Sequence, residues 1–195
     1  MQIFLIISFS LVYSSYINIP ENYSSIQEGV NVASDGDTVF VSSGIYYENI
    51  NFNGKNISLI GEDKETTILD GSLLNSVVRF ESGENESSFL SNFTIQNGRK
   101  GMQGDGFIWP ENYGGGIFCK SSSPTITNCI ITNNITVDGG GAGVFIHSSS
   151  SPTLNNVIIS NNIGVHGGGI MVNNDSHPSL YQCIIDNNST TEHYD

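Results

Sequence analysis

The C-terminal part of this chain repeats one phrase three times, and few folds accommodate such a repeat. Gly114-Gly115-Gly116-Ile117-Phe118-Cys119 returns as Gly141-Ala142-Gly143-Val144-Phe145-Ile146 and again as Gly167-Gly168-Gly169-Ile170-Met171-Val172. Each glycine run is followed by a Ser- or Asn-rich turn that ends in Pro124, Pro152 or Pro178. A second apolar segment comes next: Cys129-Ile130-Ile131, Val157-Ile158-Ile159 and Cys183-Ile184-Ile185. An Asn pair closes every unit, at Asn133-Asn134, Asn161-Asn162 and Asn187-Asn188. The period is 28 residues from Cys129 to Val157 and 26 from Val157 to Cys183.

A period in the twenties, built of short β-branched segments between Gly, Ser and Asn turns, is the mark of a solenoid. The units lack the 3.6-residue apolar spacing that paired-helix repeats need. Each carries at most one leucine, which excludes leucine-rich repeats. What remains is an all-β fold, a single-stranded parallel β-helix in which each unit is one coil. Coils stack at about 4.8 Å through ladder hydrogen bonds. Stacking then predicts three interior columns: Ile117, Val144 and Ile170; Cys119, Ile146 and Val172; Ile131, Ile159 and Ile185. Asn134, Asn162 and Asn188 are expected to pile into an amide ladder at a turn that tolerates left-handed backbone. Cys129 and Cys183 fall in one column two coils apart, beyond disulfide reach.

Of 195 residues, only 13% are charged, 19 of them acidic and 6 basic, for a net charge of −13. That balance argues against nucleic acid as a partner, since such binding runs on Lys and Arg contacts to phosphate. It also opposes acidic polysaccharides unless a divalent cation bridges the like charges. The run Ile3 to Val12 is apolar but too short to span a bilayer. With Val12 and Ser14 placed for cleavage, residues 1–15 read as a signal peptide, so the chain is expected to be secreted or displayed at the cell surface. No later stretch is long enough for a transmembrane helix.

Residues 16–37 read as an N-terminal cap. Ser25 with Glu28 three residues later forms a capping-box pattern, and Ile26, Val30 and Ala33 follow on one face of a short helix. Such a helix would cover the exposed core and strand edges at the end of a solenoid. The β-helix proper is assigned to residues 38–195. It is interrupted by an insertion, Arg99 to Tyr113, that holds the single Trp and two of the basic residues. No closing cap is evident near Asp195, which predicts either continuation into a further C-terminal domain or end-to-end association.

The stretch Ser25-Ile26-Gln27-Glu28, Asp35-Gly36-Asp37-Thr38-Val39 and Gly44-Ile45-Tyr46-Tyr47-Glu48-Asn49-Ile50 resembles the opening of pectin-lyase-like right-handed β-helix proteins, pectin methylesterases in particular. The later Gly-Gly-Gly-Ile and Asn-Asn units are similar to non-enzymatic β-helix repeats of secreted bacterial surface proteins. The resemblance spans residues 17 to 195. It implies a right-handed parallel β-helix with a short N-terminal capping helix. It does not carry activity across. The esterase pattern needs an aspartate in a Gln-Asp-Thr run, for which Gln103-Gly104-Asp105 is the nearest approach, and an Arg beyond Arg99, where this chain has none. Lyase chemistry needs a base beside a calcium-bound uronate, and the last three coils offer only Lys120.

Two constellations are candidate sites. Trp109, with Phe107, Tyr113 and Arg99 on the insertion, could form a stacking platform for sugar rings, though aromatics on such a loop also serve to pin it to the solenoid. Asp138, His166 and Glu192 each lie four residues after a ladder asparagine. Strict stacking would line them up as ligands for a divalent cation such as calcium, although polar residues before glycines are also ordinary turn residues. No cofactor is required by this reading. Asn-x-Ser/Thr triplets at Asn22, Asn56, Asn85, Asn92, Asn134, Asn174 and Asn188 follow from the composition, and the ladder members among them are poor glycan acceptors. The expected role is structural, adhesive or glycan-binding and non-catalytic, with a polysaccharide or cell-surface glycan as partner. The alternative is a carbohydrate-active enzyme, a polyuronate lyase or pectin esterase.

Overall fold

The computed structural model describes residues 14–101 and 113–191. Within them the chain winds through stacked coils, and every strand pairing is parallel. The first sheet contains Tyr16–Ile19, Thr38–Val41, Ser58–Gly61, Phe89–Ser91, Thr125–Thr127, Thr153–Asn155 and Ser179–Tyr181. The second contains Gly44–Tyr46, Thr67–Asp70, Thr94–Gln96, Ile130–Thr132, Ile158–Ser160 and Ile184–Asp186. The third contains Ile50–Asn51, Val78–Phe80, Ile117–Lys120, Val144–His147 and Ile170–Val172. Between the second and third lies a narrow fourth sheet of Arg99–Lys100, Ile135–Thr136, Ile163–Gly164 and Ser189–Thr190.

Alternation along each strand sends every second side chain inward. Val39, Leu59, Leu90, Ile126 and Leu154 line the first sheet's interior face and are fully buried. The predicted columns are present: Ile117 pairs with Val144 and that with Ile170, while Ile131 pairs with Ile159 and that with Ile185. Phe52 and Phe80 pack at a tilt with ring centroids 4.3 Å apart and are both fully buried in the main core. In the last described coil Leu180 and Ile185 are 40% and 49% exposed, whereas Leu154 and Ile159 one coil earlier are fully buried.

The turns show what each repeated letter does. Within each Asn pair the first residue takes the left-handed backbone, with φ of 56° at Asn133 and Asn161 and 51° at Asn187. The second residue points inward and builds the ladder: Asn134 Nδ2 donates to Asn162 Oδ1, and Asn162 Nδ2 to Asn188 Oδ1, both at 3.0 Å. The two roles expected of one residue are thus divided between neighbours. The glycine runs answer to a different constraint. A Cβ on Gly116 would sit 2.6 Å from the carbonyl oxygen of Gly143, and one on Gly143 would sit 2.5 Å from that of Gly169. Backbone from the next coil occupies the space a side chain would need.

The cap forms as the sequence predicts. A helix, Ile26–Val32, packs Ile26, Gly29 and Val30 against the first coils. Ser25 accepts the amide of Glu28 at 3.2 Å, but the Glu28 carboxylate is turned to the Ser24 hydroxyl, so only half of the capping box is made. The amides of Ile26 and Gln27 are held instead by the two oxygens of Glu48, each at 2.9 Å. At the other end Lys55 donates its ammonium to the carbonyls of Val30 and Ala33, a cation placed at the helix C-terminus.

Candidate functional site

Several of the acidic side chains, the first place to look for chemistry in a β-helix, are committed to backbone. Asp37 accepts the amides of Ser15 and Ser34, Glu62 that of Ser43, Asp35 that of Asn56, and Asp70 that of Ser72. Glu84, 1% exposed, accepts from the amides of Gly54 and Ser82 and from the Ser122 hydroxyl. Gln27 pairs through its side-chain amide with both backbone groups of Asn51. Asn49 donates to the Ser76 carbonyl. Gln27, Asp37, Glu48 and Asn49 belong to the stretches that carry the family resemblance. Gln27 and Glu48 tie the cap helix to the first coil, Asp37 holds the turn after the helix to the start of the first strand, and Asn49 ties the first coil to the next.

The outer face of the third sheet is different. Register places Arg79, Phe118, Phe145 and Met171 in one outward column. Phe118 and Phe145 are fully buried despite facing away from the solenoid interior. Arg79 lies over the Phe118 ring at 4.4 Å, and Tyr113 packs at a tilt against Phe145 with centroids 4.7 Å apart. These aromatics form a second apolar cluster outside the main core. Beside it, Lys120 pairs in register with His147. The Arg79 guanidinium grips the Glu81 carboxylate and holds it below the usual carboxylate range. Burial, reinforced by Lys120, lowers the His147 pKa from the ordinary 6.5. The His147 ring stacks on Phe145 at 5.5 Å, its Nδ1 meets the Ser148 hydroxyl, and its Nε2 lies 2.9 Å from the Asn174 amide.

A pH dependence follows from these groups. Because the folded chain binds the His147 proton less readily than the unfolded one, the stability its neutral ring contributes is full above pH 6.5. It is lost as pH falls through 6.5 toward the folded value, and Glu81 adds a loss in the same direction at lower pH. The urea midpoint is expected to fall on going from pH 8 to pH 5.5, and His147→Gln should flatten that step. A midpoint constant over this range would remove the assignment.

Of the residues the sequence nominated for a sugar platform, Tyr113 is 3% exposed and serves as packing. Arg99 is half-buried on the fourth sheet, paired with Ile135. Phe107 and Trp109 lie outside the described residues, as do Gln103-Gly104-Asp105 and the leader. The proposed metal column is corrected by the register. His166 bridges Gly140, not Asp138, because the turn after Thr136 has two more residues than the turn after Gly164. Ile135 and Ile163 pair 28 residues apart, Gly140 and His166 only 26, so the four-residue spacing from the ladder does not survive the turn. Glu192 lies outside the described residues. Among the described residues no group of three His, Cys, Asp or Glu side chains could hold a metal ion. No described helix is long and apolar enough to cross a membrane.

The outward aromatic column was legible but not recognised in the sequence. Once Ile117 and Cys119 are assigned inward, Phe118 must face out, and the same alternation exposes Phe145 and Met171 as an apolar stripe. Cys119 and Cys129 behave as buried hydrophobes, with burial pushing both thiols up to about 12.

Among solved structures, the chain is similar in shape to a pectin methylesterase mutant in complex with hexasaccharide IV. It is 14% identical, with a TM-score of 0.44 over 80% of this chain, and the chain spans 56% of that structure's length. No curated protein matches. The right-handed β-helix region matches residues 82–193, more than half of the sequence. With four parallel sheets wound around one interior, the chain belongs to the right-handed β-helix family.

Proposed function

We propose that this chain is a non-catalytic β-helix module, secreted or displayed at a cell surface, that acts as a rigid structural or adhesive unit and binds glycan. The observation that carries this reading is the fate of the carboxylates. Asp35, Asp37, Glu48, Glu62, Asp70 and Glu84 are spent on backbone amides of neighbouring turns and coils, so they do not converge as an acid and base pair would. Ligand contact belongs to the outer face of the third sheet, where Arg79 and Lys120 adjoin the aromatic cluster, together with Arg99, Phe107 and Trp109 of the insertion. The net charge of −13 favours a neutral glycan over a polyuronate.

Incubation with polygalacturonate, methylated pectin and alginate, with and without calcium, should give no turnover. Retention on insoluble neutral glycan should be measurable, and Trp109→Ala should weaken it by about 5- to 10-fold, the range expected for loss of one aromatic stacking contact. Unchanged retention would remove Trp109 from the account. Turnover that disappears on substituting Asp138 or His166 would establish the enzyme reading in place of this one.

A further inference from the structure

The chain contains eight Asn-x-Ser/Thr triplets, at Asn22, Asn56, Asn85, Asn92, Asn134, Asn174, Asn187 and Asn188, the last two overlapping. Such a triplet is an acceptor for N-linked sugar only where the asparagine can be presented on a surface turn of an exported protein. The structure separates the eight by two criteria, exposure and the occupation of Nδ2, the atom that must form the new bond. We infer that Asn22, Asn85 and Asn187 are N-glycosylation sites and that the other five stay bare, an inference resting on the export reading above.

Asn134 is fully buried in the ladder, with Nδ2 donating to the Ile95 carbonyl and to Asn162 Oδ1, and Oδ1 accepting the Gly98 amide. Asn188 is half-buried and donates Nδ2 to the Ile159 carbonyl at 2.8 Å. A sugar on either would sit where a neighbouring coil already lies. Asn174 is exposed, but its Nδ2 is 2.9 Å from His147 Nε2. Asn56 is half-buried, with its oxygen accepting from the Asn85 amide and the Ser88 hydroxyl and its Nδ2 directed to Asp35. Asn92 is half-buried, its oxygen held by Asn128 at 2.8 Å.

The three assigned residues share the opposite arrangement. Asn22, in the turn between the first strand and the capping helix, is exposed and uses only Oδ1, which accepts the Asn18 amide. Asn85, in the turn from the third sheet to the first, is exposed and likewise uses only Oδ1, which accepts the Ser87 amide at 2.8 Å. Asn187, the left-handed member of its pair at φ 51°, is exposed and makes no side-chain hydrogen bond among the described residues. The co-reactant is a lipid-diphosphate-linked oligosaccharide. Nδ2 forms a bond to the sugar C1 as the C1–O bond to diphosphate breaks. The departing Nδ2 proton passes to a base of the transferring enzyme, and the lipid diphosphate leaves as an anion.

The full chain would be produced in a eukaryotic secretory host behind its own leader and, in parallel, behind a heterologous one. Folded protein from the medium would be treated with an amidase that converts glycosylated Asn to Asp, and its peptides weighed. The expected result is the conversion mass at Asn22, Asn85 and Asn187 and nowhere else. The combined variant Asn22→Gln, Asn85→Gln and Asn187→Gly, the last keeping the left-handed turn, should lose the whole glycan-dependent gel shift while the yield of folded chain is unchanged. A folded, exported chain bare at these three positions, or one carrying sugar on Asn134 or Asn188, overturns the assignment. Export by the heterologous leader alone would overturn the export reading, while occupancy on that material still decides the sites.

Discussion

Gly98→Ala should destabilise the chain by about 3 kcal/mol or more, among the largest effects available from adding a single carbon. A Cβ at this position would lie 1.9 Å from the carbonyl oxygen of Gly115 and 2.7 Å from its carbonyl carbon. Those are backbone atoms of the next coil, and that coil is fixed in turn by the Val77 and Val78 amides, which donate to Gly115 and Gly116. No rotamer change relieves the collision, so the stack must part locally and give up ladder hydrogen bonds. Gly44→Ala is the control. Its nearest contact would be the Tyr46 ring at 3.3 Å, a side chain with room to adjust, and its cost should stay within about 1 kcal/mol. Urea unfolding at constant slope reads both. Equal midpoints for the two variants would mean that the coils are not packed backbone to backbone at the glycine runs.

Asn162→Ala should be nearly as severe. The side chain is fully buried, accepts from the backbone and side-chain amides of Asn134, and donates to the Ile131 and Ser160 carbonyls and to Asn188 Oδ1. Alanine leaves the Asn134 backbone amide without its partner in a dry interior and takes one bond each from the Asn134 side-chain amide, the Ile131 carbonyl and Asn188 Oδ1, at about 1 to 3 kcal/mol for a buried group left orphaned. A total loss of about 3 to 5 kcal/mol is expected. The neighbouring Asn161 sits in left-handed backbone at the same turn and is exposed, so Asn161→Gly should change stability by less than about 0.5 kcal/mol. A reversed order of the two effects would mean that the ladder and turn roles have been assigned to the wrong members of the pair.

The fold was readable because stacking in a solenoid converts letters at fixed spacing into vertical neighbours. The columns through Ile131 and Ile117 follow from the repeat alone, and the cap helix follows from the helical spacing of Ile26, Val30 and Ala33 behind Ser25. What spacing could not supply was the length of each turn. Counting four residues from the ladder put Asp138 above His166, but the turn after Thr136 carries two residues more than its successor, and the register recovers only at Gly140. Sequence also could not tell which chain atoms Glu48 and Asp37 would meet. Those meetings lie 21 or 22 residues apart, across coils, and they turn a family motif into structural support for the cap. The aromatic column of Phe118 and Phe145 could have been found by carrying strand alternation outward as well as inward. Tyr113, which packs against Phe145, is linked to that column by no periodicity.

Methyl–methyl nuclear Overhauser contacts among the isoleucines test the coil register most directly. With coils about 4.8 Å apart, strong cross-peaks are expected between Ile131 and Ile159 and between Ile159 and Ile185, with none between Ile131 and Ile185. A direct Ile131–Ile185 contact, or no contact from Ile159 to either partner, would contradict the stacked register on which the ladder, the cap and the outer-face site all depend.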